Sequence, residues 1–171
     1  MDAQGRILFI ITGGTIDSRF SPMQDAILTG KKSMVPNYLS KLKLHDDCEY
    51  FVARMKDSRE LDDSDRAKML GAIEKSKTNR VIITHGTYTM AKTAIFIKKN
   101  LLARGKTIVL TGSMVPVSGF AVSDAPFNLG YAVASVQALK PGVYLCMNGK
   151  VFRPHEVEKN IKKGRFEAKK K

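Results

Sequence analysis

Two short segments of the sequence place threonine hydroxyls beside glycine directly after an apolar run. Residues 12–17 read Thr-Gly-Gly-Thr-Ile-Asp, and residues 84–89 read Thr-His-Gly-Thr-Tyr-Thr. Residues 111–114 form a third glycine turn of this kind. A threonine becomes a useful nucleophile only when a base takes its proton, and the bare N–H groups of a glycine turn can stabilise an oxyanion. The turns therefore indicate chemistry by a hydroxyl nucleophile.

A lysine can serve as the base in its neutral form, which burial favours by lowering its pKa. Thr15 and Thr87 follow their strands, so in a parallel sheet both lie at the carboxyl edge, where ligands bind. Lys106 and Lys140 precede strands and fall at the opposite edge. Lys159 follows the last apolar run, so we expect it beside the two threonines. Taken alone, Lys159 also fits an ordinary surface lysine in a basic stretch.

Apolar runs and helical periodicities alternate along the chain. Strands are predicted over 7–11, 49–55, 81–83, 107–110 and 143–147, and helices over 36–43, 62–76, 90–104 and 125–136. This alternation predicts one doubly wound α/β domain over 1–161, with a mostly parallel sheet and helices on both faces. Residues 18–45 read as a long loop suited to a lid. Residues 148–161 read as a loop with a short helix, and Asp124 reads as a helix cap.

The chain of 171 residues carries a formal net charge of +13, and residues 162–171 hold six Lys or Arg against one Glu. We expect this segment to be a basic, solvated or frayed C-terminal tail. The remaining surplus would attract anionic substrates or bind nucleic acid weakly. No apolar run reaches about 18 residues, so no membrane span is predicted. The N-terminal apolar run is too short for a signal-peptide core, which predicts a cytoplasmic protein.

The cysteines and histidines give no indication of a metal site. Cys48 and Cys146 are far apart and match no metal-binding spacing, so we expect plain thiols. The three histidines are isolated in the sequence. The glycine turns also do not fit the dinucleotide-binding pattern, which disfavours a nicotinamide cofactor.

Several motifs follow one another along nearly the whole chain. They are Thr-Gly-Gly-Thr-Ile at 12–16, Asp-Ser at 57–58, Thr-His-Gly-Thr at 84–87, Thr-Gly-Ser-Met at 111–114, Ser-Asp-Ala-Pro-Phe-Asn-Leu at 123–129, Met-Asn at 147–148 and Val-Glu-Lys-Asn at 157–160. Together they resemble the bacterial-type L-asparaginases, in a short-chain form that corresponds to the N-terminal domain of full-length relatives. The resemblance implies hydrolysis of L-asparagine to L-aspartate and ammonia, without a metal or organic cofactor. It also implies a homodimer or larger homo-oligomer.

The resemblance assigns a role to each matching residue. It implies that Thr15 attacks the side-chain amide and forms an acyl-enzyme, while Thr87 and Lys159 form a second hydroxyl–base pair. Backbone N–H groups near Gly86 and Thr87 would stabilise the oxyanion. The implied substrate-binding residues are Gly14, Asp57, Ser58, Gly86 and Tyr88.

The sequence departs from the family pattern in three places. Tyr88 replaces the aspartate that contacts the substrate ammonium, and residues 16–37 contain no tyrosine to reach the nucleophile, with Phe20 the nearest aromatic. The second domain, which lends an acidic residue to a neighbouring subunit's site, has no counterpart here. Loss of a carboxylate should lower the pKa of Lys159 and weaken ammonium binding unless Asp57 or Glu60 substitutes. We expect the Tyr88 hydroxyl to replace part of the contact.

Two other functions stay open. A site disabled at Tyr88 would be an amino-acid-binding pseudoenzyme, which releases no ammonia from asparagine. A basic nucleic-acid-binding module would bind in a salt-sensitive way that deletion of 162–171 abolishes, although no recognition helix or stacking pattern is visible. A preference for asparagine or glutamine would depend on the segment 18–45.

Overall fold

The computed structural model, which describes residues 5–119 and 122–169, is organised around a six-stranded sheet. The strands are β1 (Arg6–Ile11), β2 (Ser18–Ser21), β3 (Ala26–Thr29), β4 (Asp47–Val52), β5 (Arg80–Thr84), β6 (Thr107–Thr111), β7 (Gly142–Met147), β8 (Lys150–Phe152), β9 (Val157–Asn160) and β10 (Arg165–Ala168). The helices are α1 (Val35–Lys41), α2 (Asp63–Lys75), α3 (Met90–Asn100) and α4 (Ala125–Ala138).

The sheet has the order β4-β1-β5-β6-β7-β8, and its first five strands are parallel while β8 runs antiparallel to β7. From β1 the chain moves outward to β4, and it then returns to the other side of β1 to form β5. The strand order therefore reverses between β1 and β5. In open α/β sheets, ligands bind outside the carboxyl ends of the strands at such a switch point.

Both faces of the sheet are covered, because successive side chains of a strand point to opposite sides. Ile7 and Phe9 of β1 belong to a core shared with α1 and α4, whereas Leu8 and Ile10 belong to a core shared with α2 and α3. The predicted α/β fold, with a mostly parallel sheet and helices on both faces, is confirmed. Among the helices of the described ranges, none has the length and apolar content needed to span a bilayer.

The prediction for 18–45, a long loop with a short helix near 36–43, is confirmed for the helix, which is α1, and wrong for the residues before it. There, strands β2 and β3 form an antiparallel hairpin. Asp17 fixes the base of this hairpin, since its carboxylate accepts hydrogen bonds from the Ser33 hydroxyl at 2.8 Å and the Met34 amide at 2.9 Å. The Gly30 amide donates to the Asp17 carbonyl at 2.8 Å.

The end of the chain is more ordered than the sequence predicts. Residues 148–161 contain β8 and β9, and β10 pairs with β9 in a second antiparallel hairpin. Phe166 of β10 is buried in the core on the α3 side of the sheet. The expectation of a frayed tail over 162–171 is therefore wrong as far as residue 169, beyond which its last two residues lie outside the described ranges.

Candidate active site

The first two glycine turns touch each other where β1 and β5 end. The Thr12 amide donates to the Thr84 carbonyl at 3.2 Å, which extends the strand pairing into the turns. A Cβ on Gly14 would lie 2.6 Å from the Gly86 nitrogen, so the two backbones are in direct contact. Gly14 has φ 82° and ψ −164°, a conformation essentially restricted to glycine. Glycine therefore permits both this backbone conformation and the close approach.

Ser58 covers another side of Gly86. A Cβ on Gly86 would lie 2.8 Å from the Ser58 Oγ. The Thr89 hydroxyl donates to the Ser58 carbonyl at 2.6 Å and fixes the loop after β4 on the second turn. Within the described residues the buried Ser58 hydroxyl has no hydrogen-bond partner. Such a group costs about 1–3 kcal/mol, so a ligand that accepted its hydrogen bond would relieve that cost.

Lys159 and Thr87 meet at the same edge of the sheet. The Lys159 Nζ donates to the Thr87 Oγ1 at 2.7 Å, and Thr87 is buried. Burial and, secondarily, the nearby Arg59 guanidinium lower the pKa of Lys159, while the Asp57 carboxylate raises it more weakly. The sequence predicts a lowered pKa from the loss of a carboxylate. In the structure the first cause is burial, and a cation adds to it.

Lys159 is held in place by the β9–β10 hairpin. Phe166 lies opposite Lys159 in this hairpin, and its amide donates to the Asn148 Oδ1 at 3.1 Å. The Asn148 amide in turn donates to the Asn128 Oδ1 at 3.0 Å. Strand β8 leads away from the carboxyl edge, so the chain returns there through β9 rather than directly after β7 as the sequence suggests.

Asn128 connects this support to the third glycine turn. Its Nδ2 donates to the Gly112 carbonyl at 3.0 Å and to the Asp124 carboxylate at 2.9 Å. The same carboxylate accepts hydrogen bonds from the amides of Met114 and Val115, and it makes no capping bond to α4. The prediction of Asp124 as the N-cap residue of α4 is confirmed by its position, although its carboxylate binds the turn after β6 instead of the first amides of the helix. The third turn is thus a scaffold for the other two.

Tyr88 is exposed over 52% of its surface and packs against two cations. The Lys159 Nζ lies 3.8 Å from the ring centroid, and the Arg59 Cζ lies 4.9 Å from it. Both distances are within the range of cation–π attraction. The contacts of Tyr88 are therefore made by the ring, which gives no support to the expectation that its hydroxyl replaces a carboxylate.

Asp57 is fully engaged by Arg59. Its Oδ1 accepts hydrogen bonds from the Arg59 amide at 2.8 Å and Nε at 3.0 Å, and its Oδ2 accepts one from Nη2 at 2.9 Å. These bonds hold the pKa of Asp57 below its usual value. Asp57 is therefore not a free replacement for the missing aspartate. Glu60 is exposed and forms no ion pair within the described residues.

Thr15 begins a 3₁₀ turn, Thr15–Asp17, immediately after Gly14. Its position follows from the Gly14–Gly86 contact, which brings the first turn against the second. Within the described residues the Thr15 hydroxyl makes no hydrogen bond, and the residue is partly exposed. A side chain at this position is accessible to a ligand that enters at the switch point.

A buried chain of hydrogen bonds supports Gly86 from below. The Gly86 carbonyl lies 2.7 Å from the His85 Nδ1, and since a carbonyl only accepts, Nδ1 carries the proton. The His85 Nε2 lies 2.9 Å from the Thr93 hydroxyl, which itself accepts from the Arg66 Nε at 3.2 Å. Burial lowers the pKa of His85 to about 4. A neutral imidazole therefore orients the second turn.

The site residues named from the sequence are brought together only in part. The structure joins Thr87 to Lys159, brings both Gly14 and Ser58 against Gly86, and places Tyr88 on Lys159, while Asp57 is held by Arg59. Sequence reasoning missed Arg59, Thr93 and Arg66. Of these, Arg59 carried a signal, since it follows Asp57 by two residues in the same short loop. In the two described ranges no group of three or more His, Cys, Asp or Glu is arranged to hold a metal.

An open α/β sheet with a hydroxyl–amine pair at its switch point defines a domain built to act on a small polar ligand. The chain belongs to the asparaginase family, because the family model described as Asparaginase, N-terminal, matches residues 6–168. The family resemblance found in the motifs is confirmed.

Curated relatives match this chain over about half of its length. A glutaminase-asparaginase from Acinetobacter glutaminasificans is 43% identical over 93 residues, covering 52% of this chain and 27% of the relative. L-asparaginase 2 from Escherichia coli (strain K12) is 37% identical over 86 residues, covering 48% of this chain and 24% of the relative.

Solved structures are similar over nearly the whole chain. "Probable Cytoplasmic L-asparaginase from Campylobacter jejuni" has a TM-score of 0.80 at 28% identity, covering 96% of this chain and 53% of that one. L-asparaginase I from Vibrio cholerae has a TM-score of 0.81 at 24% identity, which shows the shared fold. This chain therefore spans about half the length of these structures and about a quarter of the curated relatives.

Proposed function

We propose that this chain is an amidohydrolase that cleaves the side-chain amide of L-asparagine to L-aspartate and ammonia. The 2.7 Å hydrogen bond between Lys159 and Thr87 carries the proposal. A buried hydroxyl joined to an amine of lowered pKa is a unit for moving a proton at neutral pH. Relatives named asparaginase and glutaminase-asparaginase support the choice of an amide substrate.

In the proposed reaction, the Thr15 hydroxyl attacks the side-chain carbonyl of the substrate. Lys159 in its neutral form accepts a proton through Thr87, and N–H groups near Gly86 and Thr87 bind the oxyanion. The C–N bond breaks, the nitrogen leaves with a proton as ammonia, and an ester on Thr15 remains. Water then attacks this ester and releases L-aspartate. These steps use no metal or organic cofactor.

The other predicted site residues belong to the same proposal. Ser58, whose buried hydroxyl has no partner among the described residues, is suited to donate to the substrate carboxylate, and Asp57 orients Arg59 beside it. Gly14 and Gly86 let the backbone approach the ligand closely. We also infer a homodimer or larger homo-oligomer and a cytoplasmic location, which light scattering and cell fractionation would test.

Ammonia release from L-asparagine and L-glutamine tests the proposal. Thr15→Ala should abolish release, and Lys159→Met should lower kcat by about 10²–10⁴-fold, as expected for loss of a general base. Lys162→Met is the matched control, because Lys162 is exposed, and it should leave kcat unchanged.

Mass spectrometry of a quenched reaction should detect an acyl adduct on Thr15. If the unmodified protein binds asparagine in calorimetry but releases no ammonia, the pseudoenzyme hypothesis replaces this proposal. If Thr15→Ala keeps full activity, the nucleophile is a different residue.

A further inference from the structure

The charge around Tyr88 indicates which head group the site accepts. The Arg59 Cζ lies 4.9 Å from the centroid of the Tyr88 ring, and the Lys159 Nζ lies 3.8 Å from it. Lys159 is also hydrogen-bonded to Thr87. The cluster of Arg59, Tyr88, Lys159 and Asp57 therefore adjoins the hydroxyl–amine pair directly.

The Asp57 carboxylate of this cluster is already paired with the Arg59 guanidinium. Both oxygens of Asp57 accept hydrogen bonds from Arg59 at 2.8–3.0 Å. The Tyr88 ring could also attract a cation, but the side chains of Arg59 and Lys159 already pack against it. An ammonium group entering here would meet the Arg59 guanidinium, a like charge that raises its free energy.

A ligand carboxylate, in contrast, would find hydrogen-bond donors at the same place. The Arg59 side chain is 65% exposed, and its Nη1 makes no hydrogen bond within the described residues. The Ser58 hydroxyl is buried beside Gly86 and has no partner in the part of the chain that the structure describes. Charge-assisted bonds from arginine to a carboxylate are among the stronger polar contacts. The cluster thus favours a ligand that carries a carboxylate and no ammonium group.

We propose that the preferred substrates are amides of dicarboxylic acids that lack the α-ammonium group, with succinamate as the simplest case. This inference rests on the proposed amide hydrolysis. The reaction is balanced by one water: the amide C–N bond breaks, a C–O bond forms, and succinamate gives succinate and ammonia. L-Asparagine is a slower substrate because its ammonium must be accommodated beside the Arg59 guanidinium, where Tyr88 has replaced the family aspartate.

The first test compares kcat/KM for succinamate and L-asparagine by ammonia release. The unmodified protein should favour succinamate at least tenfold. Tyr88→Asp supplies a free carboxylate, so the ratio should move at least tenfold toward L-asparagine. Tyr88→Phe is the matched control: it keeps the ring and should keep the ratio within about twofold. Both substrates share the catalytic groups, so the ratio is insensitive to changes in proton transfer.

The second test separates this inference from the proposed function. Titration calorimetry on Thr15→Ala should show succinamate binding at least tenfold more tightly than L-asparagine. If the unmodified protein releases ammonia from both compounds but prefers L-asparagine, the inference is wrong and the proposed function stands. If it releases none while Thr15→Ala still selects succinamate, the proposed function is wrong and the charge selection stands.

Discussion

Lys159 owes its suitability as a base to the groups around it. An exposed lysine is almost fully protonated at neutral pH, and a protonated lysine cannot accept a proton from Thr87. Burial comes first among the causes that lower the pKa of Lys159, and the Arg59 guanidinium adds to it. Arg59 also neutralises Asp57, whose negative charge would otherwise favour the protonated lysine. Arg59 therefore lowers the pKa of Lys159 in two ways.

Replacement of Arg59 should accordingly move the pH profile of catalysis. In Arg59→Gln, a cation is lost and Asp57 becomes unpaired, so the pKa of Lys159 should rise. The rising limb of kcat, measured from pH 6 to 10, should shift to higher pH. Arg153→Gln is the matched control, because Arg153 also stacks on a tyrosine ring, that of Tyr144 at 4.8 Å. An unchanged limb in Arg59→Gln would show that Lys159 is not the base that limits the reaction.

His85 predicts a pH dependence of stability rather than of catalysis. Its pKa falls from 6.5 to about 4 on folding, so between these values the unfolded chain binds more protons. The contribution of His85 to the free energy of unfolding is then fully present above pH 6.5. It is lost as the pH falls toward 4, by up to about 3 kcal/mol in total. Urea unfolding between pH 5 and 7 measures the slope. The double variant His45→Gln/His155→Gln should show the same slope, since both residues are exposed.

Some of these residues could be predicted from their types and positions, and others could not. The place of Thr87 is predictable because it follows a parallel strand, and such positions lie at one edge of the sheet. Lys159 reaches the same edge within the β9–β10 hairpin, which the sequence does not indicate. The pairing of Arg59 with Asp57 depends on a 3₁₀ turn over Ser58–Glu60, for which the sequence gives no periodic signal. The Arg66–Thr93–His85 chain joins α2, α3 and the second turn, so it exists only after the helices have packed.

At the scale of elements, the long apolar strands and helices were predictable and the short hairpins were not. Strands β1, β5, β6 and β7 are buried on both faces and read as continuous apolar runs. Hairpin β2–β3 is largely exposed, so its residues show no alternation between buried and exposed positions. Strand β10 has one buried residue, Phe166, among polar neighbours, and its charge resembles that of a solvated tail.

The second hairpin gives a prediction about the end of the chain. Phe166→Ala removes a buried aromatic side chain opposite Lys159 and should lower the free energy of unfolding by about 3 kcal/mol. It should also lower kcat, because β9 loses its support. Deletion of 162–171 should have a larger effect of the same kind, whereas deletion of 170–171 spares β10 and is the control. Urea unfolding and ammonia release measure both effects, and an unchanged kcat after the larger deletion would contradict a supporting role for β10.

For the whole molecule, the basic surplus gives a positive field, and part of its C-terminal share is paired within a hairpin rather than free. The expected tail is tied into the fold, since Glu167 accepts hydrogen bonds from Lys163 at 3.0 Å and Arg165 at 2.6 Å. Several charges expected to be free are thus paired within the hairpin. The formal net charge of the chain is nevertheless +13, which gives it a positive field that attracts small anions.

This field leads to a prediction that depends on the charge of the substrate. Succinamate carries one negative charge at neutral pH, whereas L-asparagine is a zwitterion without net charge. Salt screens interactions beyond about 10 Å at 0.1 M and about 3 Å at 1 M. Raising NaCl from about 20 to 500 mM should therefore lower kcat/KM for succinamate severalfold and change that for L-asparagine by less than about twofold. The zwitterion is an internal control for effects of salt on the enzyme itself. Equal losses for the two compounds would mean that salt acts on the fold or on the chemistry, and the net charge would then have no part in selecting the substrate.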